Sequence, residues 1–177
     1  MGLTACAGAL VVEPTAAGAS ASCANAGLQA DAGNAPAVER ATLCLIDRLR
    51  SHHGRPTLRR NAELKTVADS QVASMLRWNY FADVRPSGQT PFALVGVTPY
   101  RAHAAFMAVG QNIAWASGSA ATPAHIVAEW MASPPHRAIM LAGKFRDAAV
   151  AVEPALPSVL GAGSRGAVWA AEFGVRR

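Results

Sequence analysis

Residues 122–141, TPAHIVAEWMASPPHRAIML, constrain the fold more than any other stretch of the chain. Two adjacent prolines, Pro134 and Pro135, forbid a single long helix, because proline clashes with the preceding turn and restricts the residue before it. Thr122 is a good N-cap, and Pro123 suits the first helical position, where its missing N–H costs nothing. Ile126, Val127, Trp130 and Met131 recur at helical spacing, so a short amphipathic helix is expected to run up to the Pro-Pro corner. His136 and Arg137 follow the corner and open a second apolar run, Ile139, Met140 and Leu141. A histidine on a rigid corner beside a core tryptophan is well placed for function. Taken alone, the stronger reading is structural, a histidine that caps backbone or packs.

Before this corner the pattern is helical. Val38, Ala41, Leu45, Ile46 and Leu49 recur with helical period from Val38 to about His53, and Gly54 ends the run. The connector RPTLRRN should send Leu58 into the core. Asn61 is expected to cap a helix over residues 62–78, with Leu64, Val67, Ala68, Val72, Met75 and Leu76 buried. Residues 79–88 form a turn-rich loop that presents Asp83, and Thr90-Pro91 starts another short helix over 91–95. Residues 96–107 have no clear period. Ile113 and Trp115 suggest a short extended segment, and residues 118–121 a flexible link. The tail reads as two strands, one through Ala148, Val150 and Val152, the other with Trp169 and Phe173 on one face. Helices first and strands last, without βαβ alternation, indicate an α+β fold.

The front end reads as an export signal. Residues 1–21 hold a short apolar run, 3–12, and an Ala19-Ser20-Ala21 cleavage site. No Lys or Arg precedes Arg40, so the native start is expected upstream. Cys6 would leave with the signal, and Cys23 and Cys44 then form an even pair. A bridge between them would tie the segment 22–37 to the first helix, with loop-closure arithmetic worth roughly 3 kcal/mol. Two free thiols are the alternative, but Cys23 has little around it in sequence to bury it. No stretch approaches the roughly 18 apolar residues of a membrane span. The net charge of +5 is carried almost wholly by arginine. Arg48, Arg50, Arg55, Arg59 and Arg60, with His52 and His53 between them, could face phospholipid or cell-wall polymer, although such clusters are usually just solvated. Nucleic acid is not expected as a partner, because no aromatic residues interleave with these arginines.

Three blocks in order resemble the CAP superfamily (SCP-like extracellular domains) of bacteria: NYFADVRPSGQTPF at 79–92, VGQNIAWAS at 109–117 and EWMASPPHRAIML at 129–141. With a matching start and end, the resemblance spans roughly residues 38–174. It implies a domain over 38–177, a three-layer α-β-α sandwich around a central antiparallel sheet, and a secreted or cell-envelope location.

The resemblance also implies a cleft that, in the family, holds a divalent metal between two histidines and two acidic residues, a donor set that suits zinc. Here the first histidine position is Asp83, the first glutamate position is Gln111 and the second is Ser133; His136 alone is retained. An amide oxygen is a far weaker metal ligand than a carboxylate. A degenerate metal site is therefore expected, with no cofactor beyond weak divalent-metal binding by His136 and Asp83. Asp83 and His136 could instead share a charge-assisted hydrogen bond. Ser133 and His136 are not expected to act as a catalytic pair, because no third, orienting residue is identifiable. His103 and His125 have no motif around them and read as surface or structural groups. The resulting expectation is a monomeric, non-enzymatic binding module for a small molecule, a lipid or a cell-envelope ligand. A metal-assisted hydrolase using His136 and Asp83 is the alternative.

Overall fold

The computed structural model describes residues 22–102, 104–161 and 165–177. The expected export signal over residues 1–21, Cys6 and His103 lie outside the described residues. In chain order the elements are α1 (Ala35–His52), β1 (Arg59–Arg60), α2 (Ala62–Arg77), α3 (Pro91–Gly96), β2 (Met107–Ser117), α4 (Pro123–Ala132), α5 (Pro134–Met140), β3 (Asp147–Glu153) and β4 (Gly166–Arg176). The sheet order is β1-β3-β4-β2. The three long strands are antiparallel, whereas the two-residue β1 runs parallel to β3. The expected antiparallel sheet therefore carries one short parallel strand. Arg59 and Arg60 build it because Leu58 plugs into the core and Asn61 N donates to Ala148 O.

Local chemistry accounts for most element boundaries. Asn61, Thr90 and Thr122 accept hydrogen bonds from the backbone N–H groups of Leu64, Ala93 and His125, so each satisfies an otherwise unpaired donor at a helix start. Helix α1 begins three residues earlier than its apolar period suggests, because Pro36 fits the first turn. The Pro-Pro corner separates α4 from α5 as expected. Residues 109–117 held the larger surprise. The short extended segment is an eleven-residue strand paired with β4 along its whole length. Alanine and glycine at alternate positions hid the period-2 pattern there. Residues 118–120 form a single 3-10 turn rather than a loose link.

Alternate strand residues face two helical layers. On one face, α1, α4 and α5 cover a core that includes Ile46, Trp130, Phe145, Trp169 and Phe173. On the other face, α2 and α3 cover Leu64, Val67, Val72, Met75, Ile113, Val168 and Ala170. The architecture is the α-β-α sandwich. Cys23 is joined to Cys44 on α1 by a disulfide. The segment behind Cys23 docks on the start of α4 through Ala30 N to Ala121 O and Ala124 N to Ala26 O.

The arginine cluster proves to be two different things. Arg50 is fully buried, and its guanidinium donates to the carbonyls of Pro56, Met140, Ala142 and Phe145. It fastens the end of α1 to the α5–β3 connection and is not part of any surface patch. Burial lowers its pKa from the ordinary arginine value. Arg55, Arg59 and Arg60 are exposed.

Candidate functional site

Strand β2 is the edge on which the Pro-Pro corner is mounted, and three consecutive positions explain how. At Gly110 a Cβ atom would come within 2.9 Å of Ile139 Cγ2 and 3.0 Å of Phe145 Cζ, so only glycine lets α5 lie this close. The Asn112 side chain donates to the His136 carbonyl at 3.0 Å. The Ile113 carbonyl accepts from the Trp130 indole N–H at 3.1 Å. Trp130 is buried and anchors α4; Asn112 fixes the first turn of α5. His136 is thus positioned through its own backbone, and its ring is left half-buried at the corner. Its Nδ1 lies 2.8 Å from Ser133 Oγ.

Asp83 arrives from the loop between α2 and α3. The buried Gln71 of α2 holds that loop by donating to Ala82 O at 2.9 Å, while Arg85 donates to Gln71 Oε1 and Ser70 Oγ. Asp83 itself remains on the surface. Partial burial raises its carboxyl pKa, and the nearby His136 offsets part of that rise. The two side chains therefore feel each other, but the hydrogen bond expected between them is not formed among the described contacts.

Gln111 lies on the opposite face of β2 from Asn112, under α2. It is buried, and its amide donates to the carboxyl of Glu172, the residue directly across from it on β4. Glu172 is fully buried. Desolvation pushes its pKa up to about 8, helped by the neighbouring Asp83 and opposed by the Gln111 hydrogen bond and by Arg85. Burial therefore favours the neutral form of this carboxyl. Glu172 Oε2 and Gln111 Oε1 are both buried and have no partner among the described residues. Thus the carboxylate that the resemblance expects at position 111 has a counterpart one strand over, at Glu172.

These residues do not fit a zinc site. Gln111 spends its amide N–H on Glu172, and the Glu172 carboxyl is fully buried. His136 shares Nδ1 with Ser133, and among the described residues no three His, Cys, Asp or Glu side chains converge. Ser133 and His136 are brought together, one helical turn apart, yet among the described residues no carboxylate hydrogen-bonds the imidazole, so the pair lacks the third member of a nucleophilic triad. His125 is exposed near the start of α4, away from any cluster.

Gln71, Asn112 and Glu172 were the residues missed in sequence. Gln71 continues the buried stripe of Val67 and Met75 at helical spacing, which marks it as a polar residue in a core position. Glu172 is the one charged residue between Gly166 and Val175, alternating with Trp169 and Phe173, which places it on the opposite, equally buried face.

The comparisons with known proteins agree with this architecture. A family model described as "CAP: Cysteine-rich secretory protein family" matches residues 43–155. No curated protein matches the sequence. Among solved structures, an extracellular SCP-domain protein from Bacillus anthracis is similar with a TM-score of 0.60 at 19% identity, over 84% of this chain and 44% of that one. An outer surface protein of Borrelia burgdorferi gives a TM-score of 0.62 at 15% identity, over 85% of this chain and 99% of that one. A cysteine-rich secretory protein from Staphylococcus aureus gives 0.59 at 17% identity, over 81% and 40%. The chain thus spans less than half of the Bacillus and Staphylococcus proteins, and all three likenesses speak to the fold.

Proposed function

Since the chain belongs to the CAP family, the cysteine-rich secretory protein family, we propose that it works outside the cytoplasm as a non-enzymatic binding module whose cleft recognises its ligand without a resident metal. The observation that carries this reading is the buried Gln111–Glu172 hydrogen bond. It turns the amide at the expected metal-ligand position inward, onto a carboxyl whose burial favours its neutral form. What remains facing outward is an imidazole, a hydroxyl and the Asp83 carboxylate, a set suited to hydrogen-bonding a polar group. The ligand class is a small molecule, a lipid or a cell-envelope component. The disulfide and the family support an exported protein, since such bridges persist in oxidising compartments. Among the described residues no helix is long and apolar enough to cross a membrane.

Elemental analysis and calorimetric zinc titration of purified protein test the reading. Zinc is expected to bind more weakly than about 10 μM at neutral pH, because the donor set is incomplete. A stoichiometric zinc ion that survives dialysis against chelator would refute it.

A further inference from the structure

The opposite edge of the sheet, across from His136, carries a second arrangement. Two cavities of about 360 and 740 Å³ lie along α1, and Leu43 and Arg60 line both, so they form one groove between α1 and the β1–α2 junction. Ala148, Ala149 and Val150 of β3 form the wall of the smaller cavity. Strand β1 covers this edge only as far as Ala148, because the chain turns into α2 at Ala62. Ala148 O accepts from Asn61 N, and Val152 N donates to Glu39 Oε1, both on the side away from β4. Strand groups alternate sides with period two, so Val150, lying between them, turns its N–H and C=O into the groove. By that alternation Val150 offers an open donor and acceptor at the strand edge.

Backbone groups at a strand edge are paired by water or by an added strand, so this edge can take an extended occupant. The rim says which charge it carries. Arg40 and Arg60 are exposed and make no hydrogen bond or salt bridge among the described residues. The two nearby carboxylates are already engaged: Glu39 with Lys65 at 3.1 Å and with Val152 N, Asp47 with Leu58 N at 2.9 Å. The groove thus has an apolar wall, one open pair of strand-edge groups and a rim of net positive charge, in which Asp47 partly offsets Arg60.

We propose that this groove is a docking site for an extended acidic peptide segment of a partner protein. The segment takes up the edge of β3 where β1 leaves it, pairs its backbone with Val150, and sets carboxylate side chains against Arg40 and Arg60. A phosphate-bearing lipid or polymer would satisfy the arginines, but its phosphate offers no donor for the Val150 carbonyl. An extended peptide supplies both a donor and an acceptor, and its alternate side chains reach the rim.

The test uses a fluorescein-labelled pentapeptide of alternating aspartate and valine, read by anisotropy with the intact protein at low salt. Three controls accompany it: an alternating lysine and valine peptide, the acidic peptide N-methylated at its central residue, and phosphatidylglycerol vesicles with inorganic polyphosphate. The acidic peptide is expected to bind at least about tenfold more tightly than the lysine peptide, and N-methylation or the double change Arg40→Glu with Arg60→Glu should each weaken it about tenfold. A thermal melt of that double variant should lie close to the parent, because neither arginine makes a hydrogen bond or salt bridge among the described residues and only the Asp47–Arg60 attraction is lost. Equal binding of the N-methylated peptide would remove the strand-edge pairing from the account. Insensitivity to the arginine reversals would remove the rim. Arginine-dependent binding of vesicles or polyphosphate without peptide binding would assign the groove to phosphate groups and overturn the proposal.

Discussion

The two faces of the sheet are made from the same three long strands, read at alternate residues, and they differ sharply. The face under α1, α4 and α5 is a packed apolar core in which Trp130, Trp169 and Phe173 are fully buried. The face under α2 and α3 is also lined with apolar residues, but it buries a set of polar groups among them. Glu172 is bonded to Gln111, Tyr100 donates to Asp147 at 2.8 Å, and Gln71 holds the Asp83 loop. On that face Gly174 leaves room for the Tyr100 hydroxyl, which would lie 2.5 Å from any Cβ there. Burial beside the Asp147 carboxylate raises the pKa of that tyrosine above its ordinary value. The first face fixes where the His136 corner sits. The second decides what charge the site can offer.

That division predicts different failures. The largest effect belongs to the packed face. Trp130→Ala removes the α4 anchor and leaves a large cavity, and should cost about 3–5 kcal/mol in urea melts. That is a large share of a typical stability of roughly 5–15 kcal/mol. A loss below about 1 kcal/mol would mean that the corner is held by something other than this packing.

A smaller effect is expected where the corner is tied to β2. Asn112→Ala removes the hydrogen bond to the His136 carbonyl and leaves that acceptor in partly buried surroundings, so about 1–3 kcal/mol should be lost. Ligand binding at the cleft should fall with it, because the first turn of α5 is no longer fixed. Unchanged stability would separate the clamp from the fold.

His136→Ala should cost the least, about 1 kcal/mol, the scale of its one side-chain contact with Ser133. It should nevertheless weaken cleft binding. A destabilisation equal to that of Trp130→Ala would make His136 a structural residue and end its functional reading.

Much of this was legible before the structure. The Pro-Pro corner, the three threonine and asparagine caps, the Trp130 anchor and the two tail strands follow from local rules of helix initiation and period. What escaped depends on pairing between distant segments. Gly110, Ala114 and Ala116 gave β2 no visible alternation, so its length emerged only from its register with β4. Gln111 could be read as a lost carboxylate, but its partner stands 61 residues later and no local rule links them. Arg50 looked like one more cationic surface residue, because the carbonyls it satisfies come from segments as far as 95 positions away.

On the polar face, burial holds the Glu172 carboxyl toward its neutral form. Folding raises the Glu172 pKa from 4.5 to about 8, so the native state binds this proton more tightly than the unfolded chain does. Its contribution to stability is complete below about pH 4.5, is lost as pH rises, and levels off above about pH 8. Glu39, Asp47 and Asp83 are shifted the same way, so the comparison must be made against Glu172→Gln, which keeps those groups and removes this titration. The most direct measurement is a carbon-13 NMR titration of the side-chain carboxyls of the parent and of Glu172→Gln. One resonance should titrate near pH 8 and disappear in the variant. A Glu172 carboxyl already charged at pH 6, titrating at or below 4.5, would contradict it.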